Sequence, residues 1–469
     1  MEDLPVELWQ IVFNNVASLL TKQPSADRDA YNEVKRDLAS CTLVSRRWCN
    51  IARPYLFQDV RLTLENKDLE QIYDYFVSNP LLSGSVKQLH LSRFDRCPRS
   101  PFVTRDGALI DFDPCSKLNV LLLVTTLRLF PKLRHLRLVD IFFPHLSTRD
   151  TTFLQETHAD AEKLSVEVLE VVFNISFLDY SARQRHLLAC FASVGRLLVR
   201  GRGHWGDGPV DHEELCVPRV RALQLEDAVG THQILSLLQA PSQGACEIED
   251  LSIERINSGM MDDYPALQGV LDVVGPRLRH LRCNMARNPH DTLLEGYFPA
   301  RPIDLTSCTK LESLTLGFQL PASRASSAQV WLSVLETLAT LERQTVLPPL
   351  KALVLEVEFM DLDGTTWQGA LHTILSMPSS LVDGGVVSEL RGKITEIGIP
   401  AIEPLLLRIC HRAKLAGVVF RGPAKSARVF SPAYHASLAL CFPELRKHGL
   451  LDYQERGFRG EWLEVTKVL

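Results

Sequence analysis

The sequence lacks the marks of several common classes. Its 469 residues carry 51 basic and 56 acidic side chains, a formal net charge of -5 and a pI of about 6.3. There is no excess of Lys and Arg of the kind that nucleic acid or an anionic membrane surface demands. No uncharged run approaches the roughly 18 residues of a membrane span, and the opening MEDLPVELW is acidic, without the basic start and apolar centre of a secretory signal. The eleven cysteines are scattered, at 41, 49, 97, 115, 190, 216, 246, 283, 308, 410 and 441, with no C-x2-C pair among them. Neither a zinc site nor a disulfide framework is signalled. These absences lead to the expectation of a soluble protein, cytoplasmic and/or nuclear, whose thiols are mostly small buried groups in a reducing compartment. Neither nucleic acid nor a membrane is expected as a partner.

Catalytic signatures are equally sparse. No G-x-S-x-G elbow or P-loop is present, and no cysteine stands near a motif-like histidine. Gly201, Gly203 and Gly206 follow a candidate strand at G-x-G-x-x-G spacing. A dinucleotide site also needs a helix whose first N–H groups face the pyrophosphate, and here Gly208, Pro209 and a run of acids follow instead. The stretch reads as a loop. On that loop His204, Asp207, Asp211, His212, Glu213 and Glu214 match no helix-borne metal spacing. No catalytic residue, metal or cofactor is assigned.

What is present starts with LPVELWQIVF at residues 4–13, helical in pattern and apolar nearly all round. Pro5 suits a first helical position, and Glu2, Asp3 and Glu7 favour the positive end of the helix dipole. Leu4, Leu8, Ile11 and Val12 fall along one side, and Val6, Trp9 and Phe13 on another. The second apolar face needs a partner. A further helical stretch, DLASCTLVSRRWCNIARPYLF, follows at 37–57, where Asp37 suits a first cap, Ser45 a second, and Pro54 a stop. Between the two, polar KQPSADRD reads as a solvated connection.

From residue 57 a loose L-x-x-L-x-L pattern recurs, as FQDVRL at 57, VKQLHL at 86, LRHLRL at 133, VEVLEV at 166, VGRLLV at 194 and VRALQL at 220. It continues as IEDLSI at 248, LRHLRC at 278, LESLTL at 311, LKALVL at 350, ITEIGI at 394 and LAGVVF at 415. The better runs follow a turn cue such as FPKL, VPRV or GPRL and precede a helical pattern. A short strand then an amphipathic helix, repeated near 30 residues, predicts an α/β chain organised as a leucine-rich-repeat solenoid with a curved parallel sheet and outer helices, of about ten to twelve repeats. A compact α/β sheet is the alternative. Strand alternation places the intervening residues on the open face: Gln88 and His90, His135 and Arg137, Arg196, Gln224 and Glu226, Asp250 and Ser252, His280 and Arg282, Ser313 and Thr315. The division expected is a helical motif over 1–57, repeats over 58–425 and a C-terminal cap over 426–469, which shows no strand signature with a following helix.

The pairing of Leu-Pro-x-Glu-Leu with a later Leu-Val-Ser-x-x-Trp resembles the F-box motif. LPVELWQIVFNNV is similar to its first helix, and DLASCTLVSRRWCNIARPYLF to its second and third. The whole chain resembles F-box proteins of fungal type that carry irregular leucine-rich repeats. It departs from them in one respect: about twenty residues lie between Val16 and Asp37 where the family has a few, an insertion near 17–36 expected to bulge into solvent.

The resemblance implies a substrate-recognition subunit of a Skp/cullin/F-box ubiquitin ligase, itself not an enzyme. It would bind a Skp-type adaptor, and through it a cullin-RING ligase, by Leu4, Pro5, Leu8, Ile11, Val12, Leu38, Val44 and Trp48. An unknown protein substrate would dock on the repeats at His90, His135, Arg137, Arg196, Glu226, Asp250, His280 and Arg282. The alternatives are a repeat scaffold that recruits no ligase, and an enzyme using the glycine-rich loop.

Overall fold

A computed structural model describes residues 5–22, 28–64, 69–92, 120–141, 164–173, 187–188, 190–201, 218–226, 231–238, 247–254, 263–284, 301–320, 324–359, 395, 398–422, 440–456 and 462–464. The chain divides into two compact units, Met1–Val220 and Arg221–Leu469. Both are α/β and built on parallel strands.

The first unit opens with three helices, α1 (Val6–Lys22), α2 (Arg28–Val44) and α3 (Arg46–Leu56). Residues expected to form a long solvated loop are largely helical. α1 runs six residues past Val16 and α2 begins nine residues before Asp37, so the chain between them shortens to residues 23–27, which lie outside the described residues. Asp37 is therefore an exposed residue inside α2 and caps nothing. The apolar period accounts for this: Tyr31, Val34 and Leu38 recur at helical spacing and all three are buried, so burial carries the helix through a polar stretch. Ser45 does cap α3, its hydroxyl accepting the Trp48 N–H at 3.2 Å. Pro54 does not stop that helix, which continues to Leu56.

Five strands follow: β1 (Asp59–Thr63), β2 (Gln88–Ser92), β3 (His135–Val139), β4 (Leu164–Phe173) and β5 (Phe191–Gly201). They pair in chain order, all parallel, with one register shift between Leu164 and Ser165 at the start of the β4–β5 pair. Val60, Leu89, Leu136, Leu169 and Leu197 stand opposite one another in one buried row, and Leu62, Leu91, Leu138, Val171 and Val199 form the next. A leucine so buried contributes about 1.5–3 kcal/mol. Helices α4 (Leu69–Val77), α5 (Pro80–Ser83) and α6 (Val120–Arg128) lie between strands in sequence, and Phe76 of α4 meets Phe130 edge-on at 4.8 Å.

The second unit holds β6 (Arg219–Glu226), α7 (Thr231–Leu238), β7 (Asp250–Ile253), α8 (Asp263–Val274), β8 (His280–Asn284), β9 (Ser313–Leu320), α9 (Arg324–Glu342) and β10 (Ala352–Phe359). It ends with α10 (Glu403–Ala413), β11 (Val418–Gly422), α11 (Pro443–Lys447), β12 (Leu451–Arg456) and β13 (Trp462–Glu464). Strands β6 to β12 are parallel neighbours, and β13 returns antiparallel on β12. One core row runs Leu223, Leu251, Leu281, Leu314, Leu353, Val418, Leu451. Gly275 follows the last residue of α8, and the position needs a glycine because a Cβ there would lie 2.4 Å from both the Leu271 carbonyl and the Ser307 hydroxyl. Polar teeth of α9 pin the chain ahead of β9: Thr337 and Thr340 accept the N–H groups of Ile303 and Leu305, and Gln344 donates to the Leu305 carbonyl.

One backbone device recurs at strand starts. The Gln58 carbonyl accepts both Lys87 and Gln88 N–H, and Lys87 accepts Arg134 and His135. In the second unit Glu249 accepts Arg279 and His280, Arg279 accepts Glu312 and Ser313, and Glu312 accepts Lys351 and Ala352. The acceptor is always the second residue of the apolar run, so register is set by equivalent atoms at each junction.

Eleven of the twelve expected runs lie on strands. ITEIGI at 394 does not: Gly398 is left-handed at φ +84°, and Pro400 lies in a short 3-10 turn, Ile399–Ile402, that feeds α10. The C-terminal stretch, expected to carry no strand with a following helix, supplies β12 and then β13, which pairs antiparallel on it. There Glu403 is buried and its carboxylate accepts the Glu444 and Leu445 N–H groups at 2.8 and 2.9 Å, capping α11. Replacing Glu403 by Ala should strand two N–H groups and destabilise the second unit by about 1–3 kcal/mol. Glu403→Gln should cost less, since an amide oxygen still accepts; equal denaturant midpoints for the two variants would refute the cap.

Candidate functional site

The three N-terminal helices enclose a small core of Phe13, Tyr31, Val34, Leu38 and Ala52. Trp9 and Trp48 stack tilted at 4.4 Å, and Phe13 meets Trp48 edge-on at 5.7 Å. The two faces read in α1 separate as their spacing requires. Phe13 is buried and Trp9 packs on the core, while Leu8, Ile11 and Val12 are 45%, 57% and 47% exposed and Pro5 is exposed as well. Leu4 lies outside the described residues. Of the other residues assigned to adaptor contact, Val44 is exposed at the end of α2, beside Leu43, which is exposed too and was not singled out from sequence. Leu38 is fully buried and Trp48 packs on the core, so these two hold the helices together.

This cluster is tied to β1. The Tyr31 hydroxyl lies 3.3 Å from the Asp59 carbonyl and 3.4 Å from its carboxylate, Lys35 Nζ donates to the carbonyls of Leu56 and Asp59, and the Arg61 guanidinium lies 3.4 Å over the Tyr31 ring. Burial draws the Lys35 ammonium down to about 8, against the opposing pull of Asp59. Beside the cluster, α1 and α3 border an open cleft of about 690 Å³ lined in part by Gln10, Ile11, Asn50, Tyr55, Lys87 and Lys132.

On the strand face of the first unit, register brings Arg61, His90, Arg137 and Glu170 into one row across β1 to β4. Glu170 is 6% exposed. His135 Nε2 stands 3.7 Å from it, Arg137 Nε 3.5 Å, and Arg200 of β5 3.5 Å on the other side. Burial pushes the Glu170 carboxyl up, but its contact with His135 and the charges of Arg137 and Arg200 outweigh that and hold it below the usual glutamate range. His90 is pushed down to about 4 by burial, then by Arg137 and Arg61, so its ring is neutral at pH 7. Arg196 is exposed on β5.

The second unit repeats the arrangement more tightly. Glu356 on β10, 7% exposed, takes Arg282 of β8 and Arg421 of β11 at 3.0 Å each, and Arg421 also donates to Gln454 at 2.9 Å. Arg282 reaches across β9 near Gly317, where a Cβ would lie 2.9 Å from the Asn284 side chain. His280 and Asp250 face each other, exposed or half-buried, at 3.6 Å. Glu226 is half-buried and bonded to Gln224, and Ser252 and Ser313 are half-buried, whereas Thr315 is buried. The expected face residues thus do share the open side of the strands within each unit. Sequence reading missed Glu170 and Glu356, the two acids around which the arginines gather.

Among the described residues no three His, Cys, Asp or Glu side chains gather as a metal site would need, and no helix is long and apolar enough to cross a membrane. The glycine-rich loop beyond Gly201 and its acids lie outside the described residues. No protein-family model matches the chain, and the curated proteins contain no match either.

Because the Glu170 value lies below that of the unfolded chain, about 4.3, its contribution is complete above that value and is lost as pH falls through the folded one. Glu170→Gln should therefore lower the urea midpoint at pH 7, and its deficit against wild type should shrink as the pH falls below the ordinary glutamate range. A deficit independent of pH would show that the charge of Glu170 is not what stabilises the face.

Proposed function

We propose that this chain is a substrate receptor of a Skp/cullin/F-box ubiquitin ligase. In this reading the N-terminal helices engage a Skp-type adaptor, and the parallel strand-and-helix array behind them is a leucine-rich-repeat solenoid that presents a protein substrate. The observation that carries it is the second apolar face of α1: Leu8, Ile11 and Val12 stay exposed although the helix already has a core face, on the sequence that resembles the F-box. The long separation between the first two helical motifs does not disable the reading, because the extra residues extend α1 and α2.

The chemistry would come from the RING and its charged conjugating enzyme, so the chain needs no catalytic residue. Holding a substrate lysine close raises its effective concentration, and geometry then governs the rate. The place of action would be cytoplasm or nucleus. A second reading, a repeat scaffold that recruits no ligase, rests on the same strand face and differs only in what the N-terminal helices bind.

Co-expression with a Skp-type adaptor separates them. The wild-type chain should elute with the adaptor as one complex, and Leu8→Asp with Ile11→Asp should abolish co-elution while leaving the thermal midpoint nearly unchanged, since both side chains are exposed. Leu38→Ala, from the core, should instead cost about 2–5 kcal/mol of stability. A folded wild-type chain that ignores the adaptor would hand the function to the scaffold reading.

A further inference from the structure

The second residue of each apolar run lies at a strand start, where neighbouring runs pair basic with acidic side chains. In the first unit Arg134 meets Glu167 at 3.5 Å. In the second, Arg221 meets Glu249 at 3.1 Å, Arg279 meets Glu312 at 3.5 Å, and Lys351 pairs with Glu312 from the other side. Lys87 breaks the pattern. Its neighbours at this position are Gln58, whose carbonyl accepts the Lys87 N–H, and Arg134, whose N–H the Lys87 carbonyl accepts in turn. Neither offers an acid, and among the described residues neither Lys87 nor Lys132, in the turn before β3, makes an ion pair. Both lysines line the cleft of about 690 Å³ beside α1 and α3, a volume within the roughly 300–1,000 Å³ of ligand sites. Helical spacing brings Gln10, Ile11 and Asn14 of α1 to this cleft, and Asn50, Ile51 and Pro54 of α3. The Tyr55 hydroxyl joins the two helices by donating to the Gln10 carbonyl at 3.2 Å. Ile11 is 57% exposed, Pro54 is exposed and Ile51 half-buried, so apolar surface stays open to a ligand. The side-chain amides of Gln10, Asn14, Asn50 and Gln58 bond to no other described residue, and an amide both donates and accepts, as a peptide main chain requires. Glu7 also lines the cleft, on the α1 wall, so an incoming carboxylate is directed away from it to the lysines on the strand-start wall. Two lysines near an acid fall far short of the field that nucleic acid needs.

We propose that this cleft binds a short extended segment of a partner protein that carries both acidic and apolar side chains. Its carboxylates pair with Lys87 and Lys132, its main chain meets the amides, and an apolar side chain covers Ile11 and Ile51. The ligand thus supplies the acid that the strand starts omit beside Lys87. The inference goes beyond the receptor reading, with whose adaptor face it shares Ile11.

The test is fluorescence anisotropy of the full-length chain with a labelled six-residue peptide of alternating glutamate and leucine, against versions with glutamine, lysine or phosphoserine in place of glutamate. The glutamate peptide should bind, and the glutamine version at least about tenfold more weakly, as loss of charge-assisted pairs requires. Lys87→Gln with Lys132→Gln should weaken glutamate binding about tenfold or more, while Lys351→Gln in the second unit should leave it within about twofold. Lys87→Glu with Lys132→Glu should bind the lysine peptide at least about threefold more tightly than the wild-type chain does, a gain that misfolding cannot imitate. Equal binding of glutamate and glutamine peptides, no gain in the charge-reversed variant, or binding of the phosphoserine peptide alone would overturn the proposal. Both lysine variants should co-elute with the adaptor as wild type does, since Leu8, Ile11 and Val12 are intact; loss of co-elution there would make the cleft part of the adaptor face and overturn it as a separate site. A chain that binds the glutamate peptide but ignores the adaptor would refute the receptor reading alone.

Discussion

Parallel pairing in strict register is the constraint on which the rest depends. Apart from a shift at the start of the β4–β5 pair, each strand position stands opposite the equivalent position of its neighbour, so apolar residue meets apolar residue across β1 to β5 and again across β6 to β12. The same rule acts on the polar side, where like charges directly opposite are unfavourable. In the row Arg61, His90, Arg137 the neutral His90 keeps the two arginines from standing directly opposite, and Glu170 continues the row beside Arg137. In the second unit Glu356 stands directly opposite Arg421, and Arg282 reaches it across the one intervening strand, β9. The buried acids are a consequence of stacking repeats whose open positions carry arginine.

That constraint explains why the fold was largely legible. A repeated apolar run with a turn cue before it marks a strand because each strand must place its leucines in the same rows. Where the reading failed, local chemistry decided. ITEIGI alternates as a strand should, but the left-handed Gly398 and the following Pro400 commit the chain to a turn, and the Gly398 carbonyl accepts the Trp331 indole N–H at 3.1 Å. LDYQER carries too few apolar residues to announce itself, since among the described residues the short β13 alone lies beyond it. The polar stretch before Tyr31 looked like a loop because three buried residues in seventeen are a faint signal beside KQPSADRD.

The candidate surfaces were legible to different degrees. Spacing alone separated the faces of α1, because a helix period assigns sides without reference to partners. It could not tell which apolar residues of α2 and α3 face inward, since Leu38, Val44 and Trp48 all suit either role. Glu170 and Glu356 escaped notice although both sit in the same Leu-Glu-Val setting, Leu169 to Val171 and Leu355 to Val357. The signal was available: an acid in the open position of a repeat whose neighbours carry Arg137, Arg200 or Arg421 there. It emerges only once the runs are stacked and compared across, not along, the chain.

Arg61 joins the two surfaces of the first unit. One side of its guanidinium covers Tyr31, whose hydroxyl and whose helix neighbour Lys35 reach the Asp59 carbonyl; on the strand its place is opposite His90, at the end of the charged row. Burial disfavours charge on both Lys35 and Asp59, yet each opposes the other's shift, so the junction holds two desolvated groups that depend on one another. Such a junction resists bending more than a free linker would, because any opening strands a buried ammonium and two carbonyls. Under the receptor reading proposed above stiffness would matter, because effective concentration at a substrate falls as the joint between adaptor-binding and substrate-binding surfaces loosens. A substitution at Arg61 would disturb the helical cluster and the charged row together.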